Sequence, residues 1–151
     1  GMTMAGGSYP ASQSEHMLAH TFEMLNPSVP ATLHGEQIGV TATTIAHIQH
    51  NMLNRPPSLA ALNFPTFEMQ AHFAPDIVKS SEAAFHTKRE TIEKAHLDNA
   101  AIKSRWPEIA HRMEAIMLPT ARLMSILTDA QAPRHHEALG WSTEDYRTAL
   151  Q

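Results

Sequence analysis

Three histidines near the beginning of the chain have the spacing that could hold a metal ion. His16 and His20 are four residues apart, so a helix places both imidazoles on one face, one turn apart. His34 opens a second helical stretch, and a turn between the two helices can return it to the first pair. Imidazole is the commonest metal ligand among side chains and suits zinc, iron and nickel. The pattern therefore predicts a metal-dependent catalytic centre or its remnant, and the alternative is a set of polar groups at helix ends.

Other polar groups lie close to these histidines in the sequence. Any of three carboxylates could provide an oxygen ligand, although the spacing requires none of them: Glu15, Glu23 and Glu36. His20 has the chemistry of a general acid or base, and its alternative is a helix-face histidine without a role. Glu36 could accept a hydrogen bond from a liganding histidine, but we favour its other role, as an acid in the first turn of a helix.

Two further pairs of histidines are expected to lie at the surface, without a chemical role. His47 and His50 have the i, i+3 spacing of a helical metal site, but we expect them to lie on partly exposed helix surface. His135 and His136 follow a proline and are expected in a solvated loop. Of the 11 histidines in the chain, the eight outside the first cluster therefore need no site to explain them.

Composition limits the class of protein. The chain has 151 residues, of which 42% are hydrophobic and 17% charged, and this predicts one folded domain. A net charge of −4 without a basic cluster argues against binding to nucleic acid or to a membrane surface. The chain has no cysteine, which excludes disulfides and thiol chemistry. No apolar run is long enough to span a membrane and no signal peptide is visible, so the cytoplasm is the expected location.

Helical periodicity and the lack of alternating β-branched runs predict an all-α fold. We expect residues 1–13 to be a tag-derived glycine and a flexible lead, and residues 14–151 to form a single all-α domain. Helices are expected over 14–25, 35–53, 58–62, 64–73, 75–86, 87–104, 108–117, 120–130, 133–139 and 142–150. Pro107 is expected to interrupt a helix, Ser12 or Ser14 to cap the first helix, and Ser142 to cap the last.

Apolar residues in the second half are expected to form core rather than a cofactor pocket. The stripe comprises Ile109, Met113, Ile116, Met117, Met124, Ile126 and Leu127. Trp106 and Trp141 are expected to anchor helix junctions. The sequence has neither a P-loop nor a glycine-rich turn between a strand and a helix, so we expect any nucleotide cofactor to bind largely outside this chain.

Two motifs and the tail of the chain resemble one enzyme family. Residues 10–20 read Pro-Ala-Ser-Gln-Ser-Glu-His-Met-Leu-Ala-His, residues 33–40 read Leu-His-Gly-Glu-Gln-Ile-Gly-Val, and residues 132–150 run from Ala-Pro-Arg through Leu-Gly-Trp to a final leucine. Together they resemble the C-terminal helical domain of glycerol-1-phosphate dehydrogenases and their bacterial AraM-type relatives. These enzymes belong to the superfamily of iron-containing alcohol dehydrogenases, glycerol dehydrogenase and dehydroquinate synthase. The resemblance covers nearly the whole chain, from about residue 5 to residue 150.

The resemblance implies a divalent metal (zinc, nickel or iron) in a cleft between this helical domain and a nucleotide-binding domain. It assigns His16 and His34 as metal ligands and places His20 beside the substrate, where it would position the substrate or relay a proton. The family's carboxylate ligand and its whole nucleotide domain lie upstream of the point where this chain begins. Gln13 stands where glycine is common in the family, so the turn before His16 is expected to differ slightly.

The resulting expectation is the metal- and substrate-binding helical domain of an NAD(P)-dependent polyol or polyol-phosphate dehydrogenase, inactive by itself. Its substrate would be a small polyol or polyol phosphate, and NAD(P) would be supplied through the missing domain. A homodimer or a complex with a nucleotide-binding subunit is expected, because the missing domain would leave an apolar surface uncovered. The alternative is a non-catalytic, stand-alone helical module that binds a metal, a small ligand or a protein partner.

Overall fold

All regular structure in the described part of the chain is helical. The computed structural model describes residues 13–28, 32–58, 64, 66–94 and 99–150. Within these ranges the elements are α1 (Ser14–Leu25), α2 (His34–Leu53), α3 (Thr66–His72), α4 (Pro75–Lys94), α5 (Asn99–Glu114), α6 (Thr120–Asp129), a 3₁₀ helix (His136–Leu139) and α7 (Thr143–Ala149). The predicted all-α fold is confirmed. None of these helices is both long enough and apolar enough to cross a membrane.

Two compact units divide the chain. The first combines the residues up to Asn51 with those from Ile116 onward, and the second runs from Met52 to Ala115. All three histidines of the predicted metal site belong to the first unit. One domain over residues 14–151 stays a prediction. The expected lead and the expected helix over 58–62 lie, apart from single residues at their ends, outside the described residues.

The two helices that carry the site histidines follow the sequence signals closely. α1 has the predicted bounds, and α2 begins at His34, one residue before the predicted start. Asn26 leaves the helical region with φ −130° and ψ 67°, as expected for a residue that precedes proline. The predicted cap of α1 is wrong for Ser14, which is already helical, because Gln13 occupies the N-cap position, where its side chain makes no capping hydrogen bond. The other predicted cap lies outside the described residues.

Two predicted helix ends in the second unit are wrong. α4 continues through the predicted boundary at His86, because this helix contains neither glycine nor proline after its first residue. α5 continues through Pro107, although a proline inside a helix removes one backbone hydrogen bond. The indole Nε1–H of the neighbouring Trp106 donates to the carbonyl oxygen of Leu53 at 3.2 Å. This hydrogen bond connects α5, at the residue before the proline, to the last residue of α2 and confirms the predicted anchoring role of Trp106.

The core of the first unit is built around three aromatic side chains. Phe22 on α1 is fully buried, and its ring stacks on that of Trp141 with the centroids 4.2 Å apart. The ring of Tyr146 on α7 lies 6.3 Å from Phe22 and 5.7 Å from Trp141. The whole apolar cluster comprises Leu18, Ala19, Phe22, Val40, Leu139, Trp141 and Tyr146. Trp141, predicted as an anchor, therefore joins the C-terminal elements to the helix that carries two of the site histidines.

The predicted core stripe is wrong for much of its length. Neither α5 nor α6 contains a fully buried residue among those described, Ile116 is 83% exposed and Ile126 is 41% exposed. The remaining members are only partly buried: Ile109, Met113, Met117, Met124 and Leu127. Aromatic rings bury more area per residue than aliphatic side chains, so the stacked cluster around Phe22 forms the centre that the stripe was expected to form.

The turn before α7 follows the predicted signals. Gly140 ends the 3₁₀ helix in the left-handed conformation, with φ +75°. Oγ of Ser142 then accepts a hydrogen bond from the backbone N–H of Asp145 at 3.1 Å, which confirms the predicted cap of α7. Together these two residues fix the direction in which α7 brings Tyr146 to the core.

The left-handed conformation of Gly140 gives a test with a matched control. An added Cβ would meet no atom within 4 Å at Gly140 or at Gly35, so backbone conformation alone distinguishes the two positions. We expect Gly140→Ala to lower the free energy of unfolding by about 1–2 kcal/mol, because an L-residue is strained at positive φ. Gly35→Ala, in helical backbone, should leave it unchanged or raise it. Urea unfolding measures both values, and equal effects would contradict the assigned turn.

Burial gives Tyr146 a pH-dependent contribution to stability. Its phenol O–H donates to Oγ1 of Thr44 at 2.9 Å, and burial raises the pKa of Tyr146 above the ordinary 10.0 against the opposite effect of that hydrogen bond. A group with a raised folded-state pKa stabilises the fold fully below its unfolded pKa, and this contribution is lost as the pH rises through the folded pKa. We therefore expect the free energy of unfolding to fall above about pH 10, and to fall less in Tyr146→Phe. Urea unfolding in alkaline buffers tests this, and parallel curves for the two chains would contradict it.

Candidate metal and substrate site

The three histidines predicted as site residues lie together in the structure. His16 and His20 lie one turn apart on α1, and His34 is the first residue of α2. The ring centroids are 6.3 Å apart for His16 and His20, 5.2 Å for His16 and His34, and 5.1 Å for His20 and His34. The first residue of α2 therefore lies against the helix that carries the other two histidines.

The separation of His16 and His34 fits two ligands of one metal ion. With zinc–nitrogen bonds of about 2.0–2.1 Å, two imidazoles on a tetrahedral ion have ring centres about 5 Å apart. These two rings are 5.2 Å apart, with their planes at 62°. Among the described residues, no group of three or more histidine, aspartate or glutamate side chains is arranged to hold a metal ion. The described residues thus hold no complete ligand set, and His16 and His34 are a candidate pair of ligands.

Each of the three rings has an oxygen beside its Nδ1 atom. The pairs are His16 with Glu15 at 3.3 Å, His20 with Glu23 at 3.0 Å, and His34 with Gln37 at 3.2 Å. A nitrogen that donates to an oxygen carries the ring proton, so in the neutral ring Nε2 keeps the lone pair. Metal-binding histidines are usually oriented in this way, with the second ring nitrogen donating to a carboxylate or a carbonyl oxygen.

A buried glutamine links the two helices at this site. Gln37 is only 4% exposed, and its Nε2 donates to Oε1 of Glu23 at 2.9 Å and to Oγ1 of Thr32 at 3.2 Å. Glu23 accepts a second hydrogen bond, from His20, through its other oxygen. The hydrogen bond from Gln37 and then that from His20 lower the pKa of Glu23 below the ordinary 4.5, against a smaller opposing effect of partial burial. Glu23 is therefore ionised at neutral pH and is bonded to residues of both helices.

Sequence reasoning did not find Gln37 and considered Glu23 only as a possible metal ligand. The signal was present as helical spacing, since each of them follows a site histidine by three residues. The carboxylate of Glu36, the other candidate partner of His34, accepts a hydrogen bond from the backbone N–H of Leu33 at 3.2 Å. This contact supports the favoured role of Glu36 at the start of a helix.

Large apolar side chains next to the site histidines are open to solvent. Met17, which follows His16, is 67% exposed, and Leu33, which precedes His34, is 73% exposed. Exposed apolar groups rimmed by polar residues are typical of surfaces that bind another molecule or domain. The histidine cluster is therefore bordered by apolar surface.

The other predicted histidine pairs lie apart from this cluster. His47 and His50 are exposed on α2, which confirms the prediction. His135 is also exposed, but the predicted solvated position of His136 is wrong. Its side chain is 18% exposed, and its ring stacks on that of Tyr146 with the centroids 4.6 Å apart. The reason is the 3₁₀ helix, which begins at His136 and packs against α7.

An open groove of about 420 Å³ in the first unit is lined by different residues from the histidine cluster. Its walls are mostly apolar and include Val40, Ile48, Met124 and Leu150, with Arg134 among the polar residues. None of the three site histidines contributes to its lining. The groove is therefore a separate feature and adds nothing to the candidate metal site.

Comparison with known proteins identifies glycerol-1-phosphate dehydrogenases as relatives. The chain is 35% identical to glycerol-1-phosphate dehydrogenase (NAD(P)+) of Metallosphaera sedula over 89 residues, which are 58% of this chain and 25% of the relative. The corresponding protein of Methanothermobacter thermautotrophicus is 35% identical over 91 residues, 59% of this chain and 26% of the relative. That of Saccharolobus islandicus is 45% identical over 47 residues, 31% of this chain and 13% of the relative. No family model matches the chain, and no solved structure matches it significantly.

The match covers a limited share of this chain and a smaller share of each relative. The chain spans about a quarter of the length of the Metallosphaera and Methanothermobacter relatives. On its own side the match takes in more than half of the residues, far more than the two short histidine motifs. The family resemblance predicted from the motifs is thereby confirmed over more than half of the chain, which is similar to one part of glycerol-1-phosphate dehydrogenases. Its predicted extent over nearly the whole chain stays a prediction.

Proposed function

We propose that this chain is the metal- and substrate-binding helical part of a glycerol-1-phosphate dehydrogenase-like oxidoreductase that uses NAD(P). The similarity to glycerol-1-phosphate dehydrogenases supports the reaction class, but a function must be argued from the site. The observation that carries the proposal is the convergence of His16, His20 and His34, whose rings lie within 6.3 Å of one another. Two of these three are the residues that the resemblance implies as metal ligands.

Each site residue has a definite role in this proposal. His16 and His34 would hold a divalent metal ion, zinc, nickel or iron, through Nε2, because their Nδ1 atoms are oriented by Glu15 and Gln37. When bound, such an ion polarises a substrate hydroxyl and lowers its pKa. The side chain of His20 is 56% exposed and its ring centroid is 5.1 Å from that of His34. His20 is therefore placed to bind a substrate that approaches from solvent and to accept or return its hydroxyl proton.

The complete enzyme needs groups that the described residues do not supply. A carboxylate would complete the ligand set, and an NAD(P)-binding domain or subunit would complete the active site. The substrate would be a small polyol or polyol phosphate, with glycerol 1-phosphate as the first candidate. The exposed side chains of Met17 and Leu33 support an additional covering surface here, provided by that domain, by a partner subunit or by a second copy of this chain.

Titration of the metal-free chain with zinc and nickel by isothermal calorimetry tests the metal-binding role. Binding of one ion per chain that is lost in His16→Ala and in His34→Ala would support the proposal. Binding that is equally strong after both substitutions would contradict it. Oxidation of glycerol 1-phosphate is then measured with NAD+ and NADP+ after a nucleotide-binding partner is added. Metal binding without any activity in that mixture would favour the alternative, a non-catalytic metal-binding module.

A further inference from the structure

We propose that Glu23 is a positioning residue that determines which ring nitrogen carries the proton in two site histidines. It acts directly on His20, and it acts on His34 through Gln37. Glu23 lies on α1 and Gln37 on α2, so this relay joins the two helices that carry the site. Its consequence for a metal ion rests on the proposed function, whereas its hydrogen bonds belong to the chain alone.

The direction of the relay is set at the carboxylate. An ionised carboxylate only accepts hydrogen bonds, so the atom of Gln37 that lies 2.9 Å from Oε1 of Glu23 must be the amide nitrogen. The amide oxygen of Gln37 is then the atom 3.2 Å from Nδ1 of His34. Because an amide oxygen only accepts, Nδ1 of His34 must donate and must carry the proton. Nε2 of His34 is left as the basic nitrogen.

Burial keeps the amide of Gln37 in this orientation. The side chain is 4% exposed, and its nitrogen also donates to Oγ1 of Thr32 at 3.2 Å. A reversed amide would bring its oxygen against the carboxylate of Glu23 and would lose this hydrogen bond, because neither oxygen can donate. Water cannot readily replace the bond at the buried amide, where unsatisfied polar groups are unfavourable. The charge on Glu23 therefore determines the orientation of Gln37.

The second oxygen of Glu23 acts on His20 without an intermediate residue. Oε2 lies 3.0 Å from Nδ1 of His20, so this ring also donates through Nδ1 and keeps Nε2 basic. The rings of His20 and His34 are stacked, with their centroids 5.1 Å apart and their planes at 18°. One carboxylate thus sets the same tautomer in two neighbouring imidazoles. That tautomer is the minor form of a neutral histidine side chain in water, which prefers the proton on Nε2.

Glu23→Gln tests the relay because it keeps the shape of the side chain and changes only what its end atoms can donate. The substituted amide has one accepting oxygen and one donating nitrogen, whereas Gln37 and His20 each require an acceptor. One contact must therefore reverse. Either Gln37 turns and the proton of His34 moves to Nε2, or His20 moves its own proton to Nε2. At least one of the two rings should lose its Nδ1–H tautomer.

Proton positions are read from long-range proton–nitrogen NMR spectra of the nitrogen-15-labelled, metal-free chain. The spectra are recorded at about pH 8.5, roughly two units above the ordinary histidine pKa of about 6.5. We expect His20 and His34 to carry the proton on Nδ1, while the exposed His50 shows the Nε2–H form and serves as an internal reference. Glu36→Gln is the matched control, because it removes the same charge near the start of α2 but lies outside the relay. It should leave both rings unchanged.

Two results would overturn the relay. One is an Nε2–H tautomer of His20 or His34 in the unsubstituted chain, a measurement that needs no variant. The other is an unchanged Nδ1–H tautomer of both rings in Glu23→Gln.

Zinc titration separates this inference from the proposed function. If both are right, Glu23→Gln weakens zinc binding by about 10–100-fold, the usual effect of losing a residue that orients a ligand, and Glu36→Gln does not. The expected tautomers together with zinc binding that depends on neither His16 nor His34 would leave the relay standing and contradict the proposed function. Zinc binding that depends on His34 but occurs with the opposite tautomers would contradict the relay and leave the proposed function standing.

Discussion

Replacing Phe22 by alanine is expected to lower the free energy of unfolding by about 3–5 kcal/mol, the usual cost of removing a buried aromatic ring. Phe22 is fully buried, and its ring centroid lies 4.2 Å from that of Trp141 and 6.3 Å from that of Tyr146. The substitution leaves a cavity where α1 meets the C-terminal elements, and the two remaining rings lose their contacts on one side. A typical domain has a stability of about 5–15 kcal/mol, so the variant should unfold at a much lower urea concentration.

Met24→Ala is the matched control on the same helix. Met24 is 47% exposed, two residues from Phe22 and away from the buried face of α1. Its truncation should change the free energy of unfolding by less than about 0.5 kcal/mol. Phe22→Leu keeps an apolar side chain in the core and should fall between the two variants. Urea unfolding followed by circular dichroism measures all three, and equal stability of Phe22→Ala and Met24→Ala would show that the aromatic cluster is not the centre of the fold.

The helices that carry the site could be predicted because short-range signals mark their ends. A residue before proline ends α1, and a serine whose side chain accepts a backbone hydrogen bond begins α7. The same kind of reasoning failed at Pro107, which was expected to interrupt a helix but lies inside α5. There the indole of Trp106 bonds to the carbonyl oxygen of Leu53, 53 residues away in the sequence. A contact between residues so far apart has no signal in the local sequence. Sequence reasoning therefore had only the helix-breaking signal of the proline.

The identity of the core was less predictable than the helices. Periodicity shows which residues share a face of a helix, but it does not show which face meets another element. Ile116 fits the predicted stripe and is 83% exposed, whereas Trp141, expected only to anchor a junction, is 2% exposed at the centre of the cluster. The choice between these faces depends on how the C-terminal elements return to α1, and this return is a property of the tertiary structure.

The candidate site also has a part that the sequence predicts and a part that it does not predict. The i, i+4 spacing of His16 and His20 fixes their common face on a helix, so their proximity could be predicted from the sequence. The hydrogen bond between Gln37 and Glu23 joins residues 14 positions apart on different helices. It depends on how α2 is rotated and shifted along α1 when the two helices pack, and the spacing of residues in the sequence does not determine this. The ligand candidates were therefore accessible to sequence reasoning, and the network that orients them was not.

His34→Ala is expected to weaken zinc binding by more than about 100-fold, because losing a residue that only orients a ligand already costs about 10–100-fold. His34 would supply one of two imidazole ligands, and the other, on His16, lies 5.2 Å away between ring centroids. The described residues contain no third histidine or carboxylate arranged as a ligand. Once His34 is removed, the one remaining imidazole should therefore bind zinc no better than a surface histidine does. Calorimetric titration of the metal-free variants measures the loss. His47→Ala, which removes an exposed imidazole from the same helix, controls for adventitious surface binding and should leave the affinity unchanged.

His20→Ala distinguishes a two-histidine site from a three-histidine site. The ring of His20 is as close to His34 as the ring of His16 is, at 5.1 Å against 5.2 Å, so distance alone does not separate their roles. The ring orientations differ, since the planes of His20 and His34 are nearly parallel at 18°, whereas those of His16 and His34 are inclined at 62°. If His20 faces the substrate, His20→Ala should change zinc affinity by less than about tenfold, or about 1.4 kcal/mol. A loss as large as that of His34→Ala would mean that three imidazoles hold the metal, and the substrate-binding role of His20 would have to be given to another residue.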